Sequence, residues 1–176
     1  TYTYTSASPS YSSTTAPTAA GTYTITPSAA SGTGSSNYTI TYETATLTVS
    51  ATSQSTLTLT STSGTYGTTL KLTTSGGSGT GAVSYSTSSA GCSITNTDSL
   101  TVTGAITCSV TATKAADSNY NSASSSATNV VFATRSITIT AANKSATYTG
   151  STVSVSNSYT ISSGTLVGSD TFTSLT

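Results

Sequence analysis

Thr56-Leu57-Thr58-Leu59-Thr60 and Ser136-Ile137-Thr138-Ile139-Thr140 decide the fold class. Each alternates apolar and hydroxyl side chains with a period of two. An extended strand therefore puts Leu or Ile on one face and Thr or Ser on the other. The same alternation recurs at Thr22-Tyr23-Thr24-Ile25-Thr26, Thr69-Leu70-Lys71-Leu72-Thr73, Ser99-Leu100-Thr101-Val102-Thr103 and Thr152-Val153-Ser154-Val155-Ser156. Thr suits the outward positions because its branched Cβ favours an extended backbone while its hydroxyl accepts water. No stretch has the 3.6-residue period of a helix. Turn-forming clusters lie between the strands, at Ser31-Gly32-Thr33-Gly34, Ser75-Gly76-Gly77-Ser78-Gly79-Thr80-Gly81 and Ser163-Gly164. The fold class expected is all-β, with antiparallel sheets packed face to face over Leu, Ile, Val and Tyr.

The chain has 176 residues, of which 46 are Thr and 38 Ser, against four Lys/Arg, four Asp/Glu and no His. A polynucleotide binder needs clustered cations to displace counterions. Lys71, Lys114, Arg135 and Lys144 are scattered singly, so no nucleic-acid role is expected. A Ser/Thr-rich chain of low charge can be a disordered stalk, but this one has three prolines and strictly alternating apolar residues. No run of about 18 apolar residues is present to span a bilayer, so no membrane insertion is expected within this segment.

Similar patterns recur along the chain. Ser36-Asn37-Tyr38 precedes Ala45-Thr46-Leu47-Thr48-Val49, as Ser118-Asn119-Tyr120 precedes Val130-Val131-Phe132. Thr65-Tyr66-Gly67 follows one leading strand, as Thr147-Tyr148-Thr149-Gly150 follows another. Asn37 to Asn119 and Tyr66 to Tyr148 are both 82 residues apart (119 − 37 and 148 − 66). A fixed spacing of this size matches an array of small immunoglobulin-like sandwiches. Residues 54–133 are read as one complete sandwich, 1–53 as the closing part of another, and 134–176 as the opening part of that same type. Ser169 to Thr176 continues into Thr1 to Thr5 as one alternating pattern, as expected for one period of a tandem array.

Residues 137–176, through Ile137-Thr138-Ile139-Thr140-Ala141-Ala142-Asn143-Lys144 and Ser163-Gly164-Thr165-Leu166-Val167-Gly168-Ser169-Asp170-Thr171, resemble the opening of the MBG-type β repeats of large bacterial surface proteins. Tyr2-Thr3-Tyr4-Thr5 and Ser13-Thr14-Thr15-Ala16-Pro17-Thr18-Ala19-Ala20-Gly21-Thr22-Tyr23 resemble their closing half. Residues 54–133 are similar to bacterial Ig-like repeats through Gly79-Thr80-Gly81-Ala82-Val83-Ser84-Tyr85 and Ala115-Ala116-Asp117-Ser118-Asn119-Tyr120-Asn121. The resemblance implies an extracellular, surface-displayed array.

Cys92 and Cys108 share the inward phase of their strands with Ile94 and Val110. On one small sandwich two such thiols come within disulfide reach, and an extracellular protein would be oxidised. The alternatives are two reduced, buried thiols or a metal site. The metal site is disfavoured because two thiols without His leave a zinc shell half empty. Triad catalysis needs the missing His, and Glu43, Asp98, Asp117 and Asp170 are dispersed, so no enzyme and no cofactor is expected. A Lys-to-Asn or Lys-to-Asp amide crosslink is disfavoured, because Lys71 alternates outward from Leu70 and Leu72 and Lys144 lies in a polar turn. A calcium-rigidified linker would depend on Asp98, Asp117 or Asp170.

The pairs Asn37-Tyr38 and Asn119-Tyr120 admit two readings. One is a ligand platform of amphipathic tyrosine. The other is a tyrosine corner, with the ring packed inward and its hydroxyl bonded to backbone, favoured because the pair occurs once per domain. Asn37-Tyr38-Thr39 and Asn143-Lys144-Ser145 fit the N-glycosylation sequon. Without a following helix, Gly76 to Gly81 forms no phosphate cradle.

The function expected is a structural repeat of an extracellular bacterial fibre, stalk or giant adhesin. Its partners would be copies of itself, joined head to tail by tandem linkage or strand exchange. The alternative is an adhesin-type module recognising glycan or protein through its loops.

Overall fold

The structure, a computed structural model, describes residues 1–152 and 158–172. It is all-β with several sheets, and the one helical feature among the described residues is a single 3-10 turn at Ser35–Asn37, entered through Gly34 at φ 81°. The chain divides into two compact units, each assembled from three segments.

The first unit comprises Thr1–Thr60, Thr73–Ser86 and Thr111–Ala127. Strands β1 (Tyr2–Ala7), β2 (Ser10–Ser13), β3 (Gly21–Pro27) and β4 (Ala45–Val49) form an antiparallel sheet of order β2-β1-β3-β4. Its register sets Tyr4 opposite Ile25 and Tyr23 opposite Leu47, so the apolar set shares one face. Tyr23 is 1% exposed and meets the Tyr11 ring edge-on at 5.5 Å. A two-rung ladder joins β5 (Thr58–Leu59) to β8 (Thr74–Ser75). Leu57, Leu59 and Ala112 complete this unit's buried apolar set.

The second unit comprises Ser61–Leu72, Thr87–Val110 and Thr128–Thr176. Strands β10 (Cys92–Thr95), β11 (Ser99–Val102) and β7 (Leu70–Lys71) make one sheet, ordered β10-β11-β7. In another sheet, β12 (Thr107–Lys114) pairs antiparallel with β14 (Thr128–Ala133), and β14 pairs parallel with β6 (Ser63–Thr65). β12 continues into the first unit, where its Thr113 and Lys114 pair with β13 (Ala123–Ser124); β9 (Val83–Thr87), which but for Thr87 belongs to the first unit, pairs with β12 as well. Buried Leu72, Leu100, Cys108, Val110, Val130 and Phe132 form this unit's core. Cys108 and Val110 alternate along β12 with half-exposed neighbours, and Val131, between buried Val130 and Phe132, is 51% exposed. That is the period of two read from the sequence. β15 (Thr138–Ala141) and β16 (Tyr159–Ser163) form a two-stranded sheet.

The alternating segments at 22–26, 99–103 and 136–140 lie within or across β3, β11 and β15. Those at 56–60 and 69–73 shrink to two-residue strands, although Leu57 and Leu72 are buried all the same. Of the segment at 152–156, residues 153–156 lie outside the described residues, as do residues 173–176 of the pattern leading into Thr1.

Candidate functional site

Cys92, the first residue of β10, and Cys108, in β12, are joined in a disulfide with Cα atoms 6.0 Å apart. β10 and β12 belong to different sheets, so the bridge ties one sheet to the other. Cys108 is fully buried. Among the described residues no three His, Cys, Asp or Glu side chains converge in a metal-sized cluster. Lys71 is exposed, as its alternation predicts, and pairs with Asp98 at 3.7 Å.

Two groups of polar contacts tie the flanking segments to the middle one. In the first unit, Asn119 is the bridge. Its side-chain Oδ1 accepts the Ala20 amide at 3.0 Å, and its backbone carbonyl accepts the Thr52 amide at 3.0 Å. Thr52 and Tyr120 form an isolated parallel bridge, and the Asn121 amide donates to the Thr52 carbonyl at 2.8 Å. Gln54 Nε2 donates to the carbonyls of Ala115 and Asn121 at 3.1 and 2.8 Å. Asp117 holds this loop in shape: Oδ1 accepts the amides of Asn119 and Tyr120, both at 2.9 Å, and Oδ2 accepts the Thr80 amide at 2.6 Å and its hydroxyl at 3.1 Å. The Asn119 amide foremost, then the Thr80 amide, with smaller help from the Tyr120 amide and the Thr80 hydroxyl, hold the carboxyl down to about 2 against an opposing effect of desolvation.

In the second unit, Tyr66 plays the corresponding part. Its amide donates to the Ala133 carbonyl at 2.9 Å and its hydroxyl to Asp170 Oδ2 at 3.0 Å. That hydrogen bond, then desolvation and the negative charge of Asp170, push the phenol above its ordinary value. Arg135 Nη2 donates to Thr165 Oγ1 at 2.9 Å. Gly67, at φ 79°, follows Tyr66, and a Cβ there would run into the Val167 side chain. Tyr66, Arg135, Ile137, Val167, Asp170 and Phe172 are among the residues lining an open cleft of about 340 Å³. Tyr159 meets Phe172 edge-on at 6.3 Å.

The Asn-Tyr pairs behave differently from each other. Asn119 makes the bridge described above and Tyr120 is half-buried. Tyr38 is 76% exposed, so its ring does not pack inward as a tyrosine corner requires. The 3-10 turn ends at Asn37 and releases Tyr38 into an extended conformation (φ −125°, ψ 143°) that enters no ladder. A buried tyrosine bonded back to backbone does occur, at Tyr23, whose hydroxyl donates to the Ala19 carbonyl four residues upstream at 2.8 Å. The signal for it was its inward phase, shared with Ile25 on the same strand. Asn37 and Asn143, the sequon asparagines, are both exposed.

No family model matches the chain, and no curated protein or solved structure matches it. No helix among the described residues is long and apolar enough to cross a membrane.

Proposed function

We propose that this chain is a structural repeat of an extracellular bacterial fibre, stalk or giant surface adhesin, built from immunoglobulin-like sandwiches in series and acting mechanically. The observation that carries this reading is that both flanking segments are fastened directly to the middle one, by Asn119 on Ala20 and Thr52 and by Tyr66 on Asp170. Such fastenings restrict hinging at the short connections Ala51-Thr52-Ser53 and Ala133-Thr134-Arg135, so load passes from segment to segment through hydrogen-bonded strands. The bridge between Cys92 and Cys108 keeps two sheets from parting, and it suits an oxidising compartment. A hydroxyl-rich exterior lets neighbouring surfaces meet with few ions to desolvate. The partners in this reading are copies of the same repeat, head to tail.

Electron microscopy of cell-surface material labelled with an antibody against residues 54–133 tests it. Label at a regular axial rise along fibres is expected, and label confined to non-fibrous soluble protein overturns it. The cleft beside Tyr66 and Phe172 favours a second reading, an adhesin module, because it offers aromatic surface flanked by Arg135 and Asp170. Glycan-array binding that disappears on Phe172→Ala is the outcome that reading requires.

A further inference from the structure

The open cleft of the second unit is built from three stretches of chain far apart in sequence, at Tyr66, at Arg135 and Ile137, and at residues 165–172. Its volume of about 340 Å³ lies at the small end of the roughly 300–1,000 Å³ typical of small-molecule sites. Arg135 and Asp170 bring one charge of each sign to its wall, and among the described residues no ion pair joins them. Arg135 is half-buried, and Nη2 donates to Thr165 Oγ1. Its Nη1 stands 3.1 Å from where a Cβ on Gly67 would lie, so the missing side chain leaves room for the guanidinium. Asp170 is exposed, and Oδ2 accepts the Tyr66 hydroxyl, while among the described residues no donor reaches Oδ1. Phe172, 38% exposed, adds an aromatic ring to the same cleft, and Ile137 and Val167 add aliphatic surface.

We infer that this cleft binds one neutral pyranose ring of a glycan. This rests on the adhesin reading above and gives it a ligand class. A pyranose has both kinds of surface that the cleft can match. Its C–H face, polarised by the neighbouring oxygens, suits the negative face of an aromatic ring such as Phe172. Its hydroxyls donate and accept. One hydroxyl donating to Asp170 Oδ1 and another accepting from the Arg135 guanidinium make charge-assisted hydrogen bonds, about twice as strong as neutral ones. The paired signs select against charge: an acidic sugar drawn to Arg135 meets the like charge of Asp170 in the same cleft, and a basic one drawn to Asp170 meets Arg135. A neutral ring uses both side chains without that opposition. The volume suits one ring, and the open mouth lets the rest of a glycan leave.

Saturation-transfer NMR on the intact chain reads the binding. The probes are the methyl glycosides of glucose, galactose and mannose, which are neutral, and methyl glucuronide, which is charged. Transfer to at least one neutral hexoside is expected, strongest at the C–H protons of one ring face. Phe172→Ala abolishes it, and Asp170→Asn weakens affinity about tenfold or more, as loss of a hydrogen bond to a charged group does. Asp170 is exposed and its carboxamide replacement still accepts the Tyr66 hydroxyl, so this second variant carries the test should Phe172→Ala unfold. The dissociation constant is expected to change less than about twofold between about 0.01 M and 1 M salt, because the ligand bears no charge to screen. Transfer to the glucuronide alone, a steep salt dependence, or transfer that both substitutions leave intact overturns the neutral-sugar site. Lack of transfer to every probe overturns it too. In that case a glycan-array signal dependent on Phe172 leaves the adhesin reading standing, whereas its absence removes both.

Discussion

The Phe132 ring lies over Gly64, its partner across the parallel ladder, so closely that a Cβ on residue 64 would stand 2.6 Å from one ring carbon and 3.0 Å from two others. Phe132 is 2% exposed and the ring has little room to withdraw. Gly64→Ala is therefore expected to destabilise the protein by about 1–3 kcal/mol, the usual range for overpacking. A urea midpoint equal to that of the wild type would contradict this packing.

Replacing both cysteines, C92A with C108A, removes a crosslink that closes 16 residues. Chain-entropy reasoning gives a loss of roughly 3 kcal/mol at 25 °C. Urea unfolding of the double variant, set beside wild-type protein with and without reductant, measures it, and reduced wild type should approach the variant.

Asp117 makes stability depend on pH in acid. Its folded carboxyl is held to about 2 against an ordinary 3.8, so its contribution is complete above the unfolded value and fades as pH falls through the folded one. Thermal midpoints of wild type and Asp117→Asn are expected to be well separated at pH 6 and to converge as pH approaches 2. A constant separation would mean that the four donors to the carboxylate do not favour its charged form.

Tyr23→Phe keeps the buried ring and deletes the hydroxyl that donates to the Ala19 carbonyl. The expected loss is about 1 kcal/mol, read from the denaturant midpoint. Tyr38→Phe, at an exposed ring, should leave the midpoint of the isolated chain unchanged.

Much of the fold was legible because alternation reports directly which side chains face inward. Tyr23 and Ile25, Leu100, and Cys108 with Val110 are the clearest cases. The cysteine pair was legible for the same reason, since both thiols share the inward phase of their strands. Alternation does not report whether a strand finds a partner. Tyr38-Thr39-Ile40-Thr41-Tyr42 has the strand pattern, yet its three apolar residues are 76%, 41% and 44% exposed and no ladder forms. Contacts across long sequence separations were also hidden. Tyr66 meets Asp170 over 104 residues, and nothing local to either residue marks the other. Asn119 was singled out for its neighbour's ring, whereas its own carbonyl and amide oxygen make the bridge.

The Thr and Ser side chains on the outward positions have a consequence for the surroundings in which the chain can work. Moving from about 0.01 M to 1 M salt shortens the reach of electrostatic forces from about 30 Å to about 3 Å. With four cationic and four anionic side chains in 176 residues, there is little for that change to act on, so fresh water and brine are nearly equivalent media for this molecule.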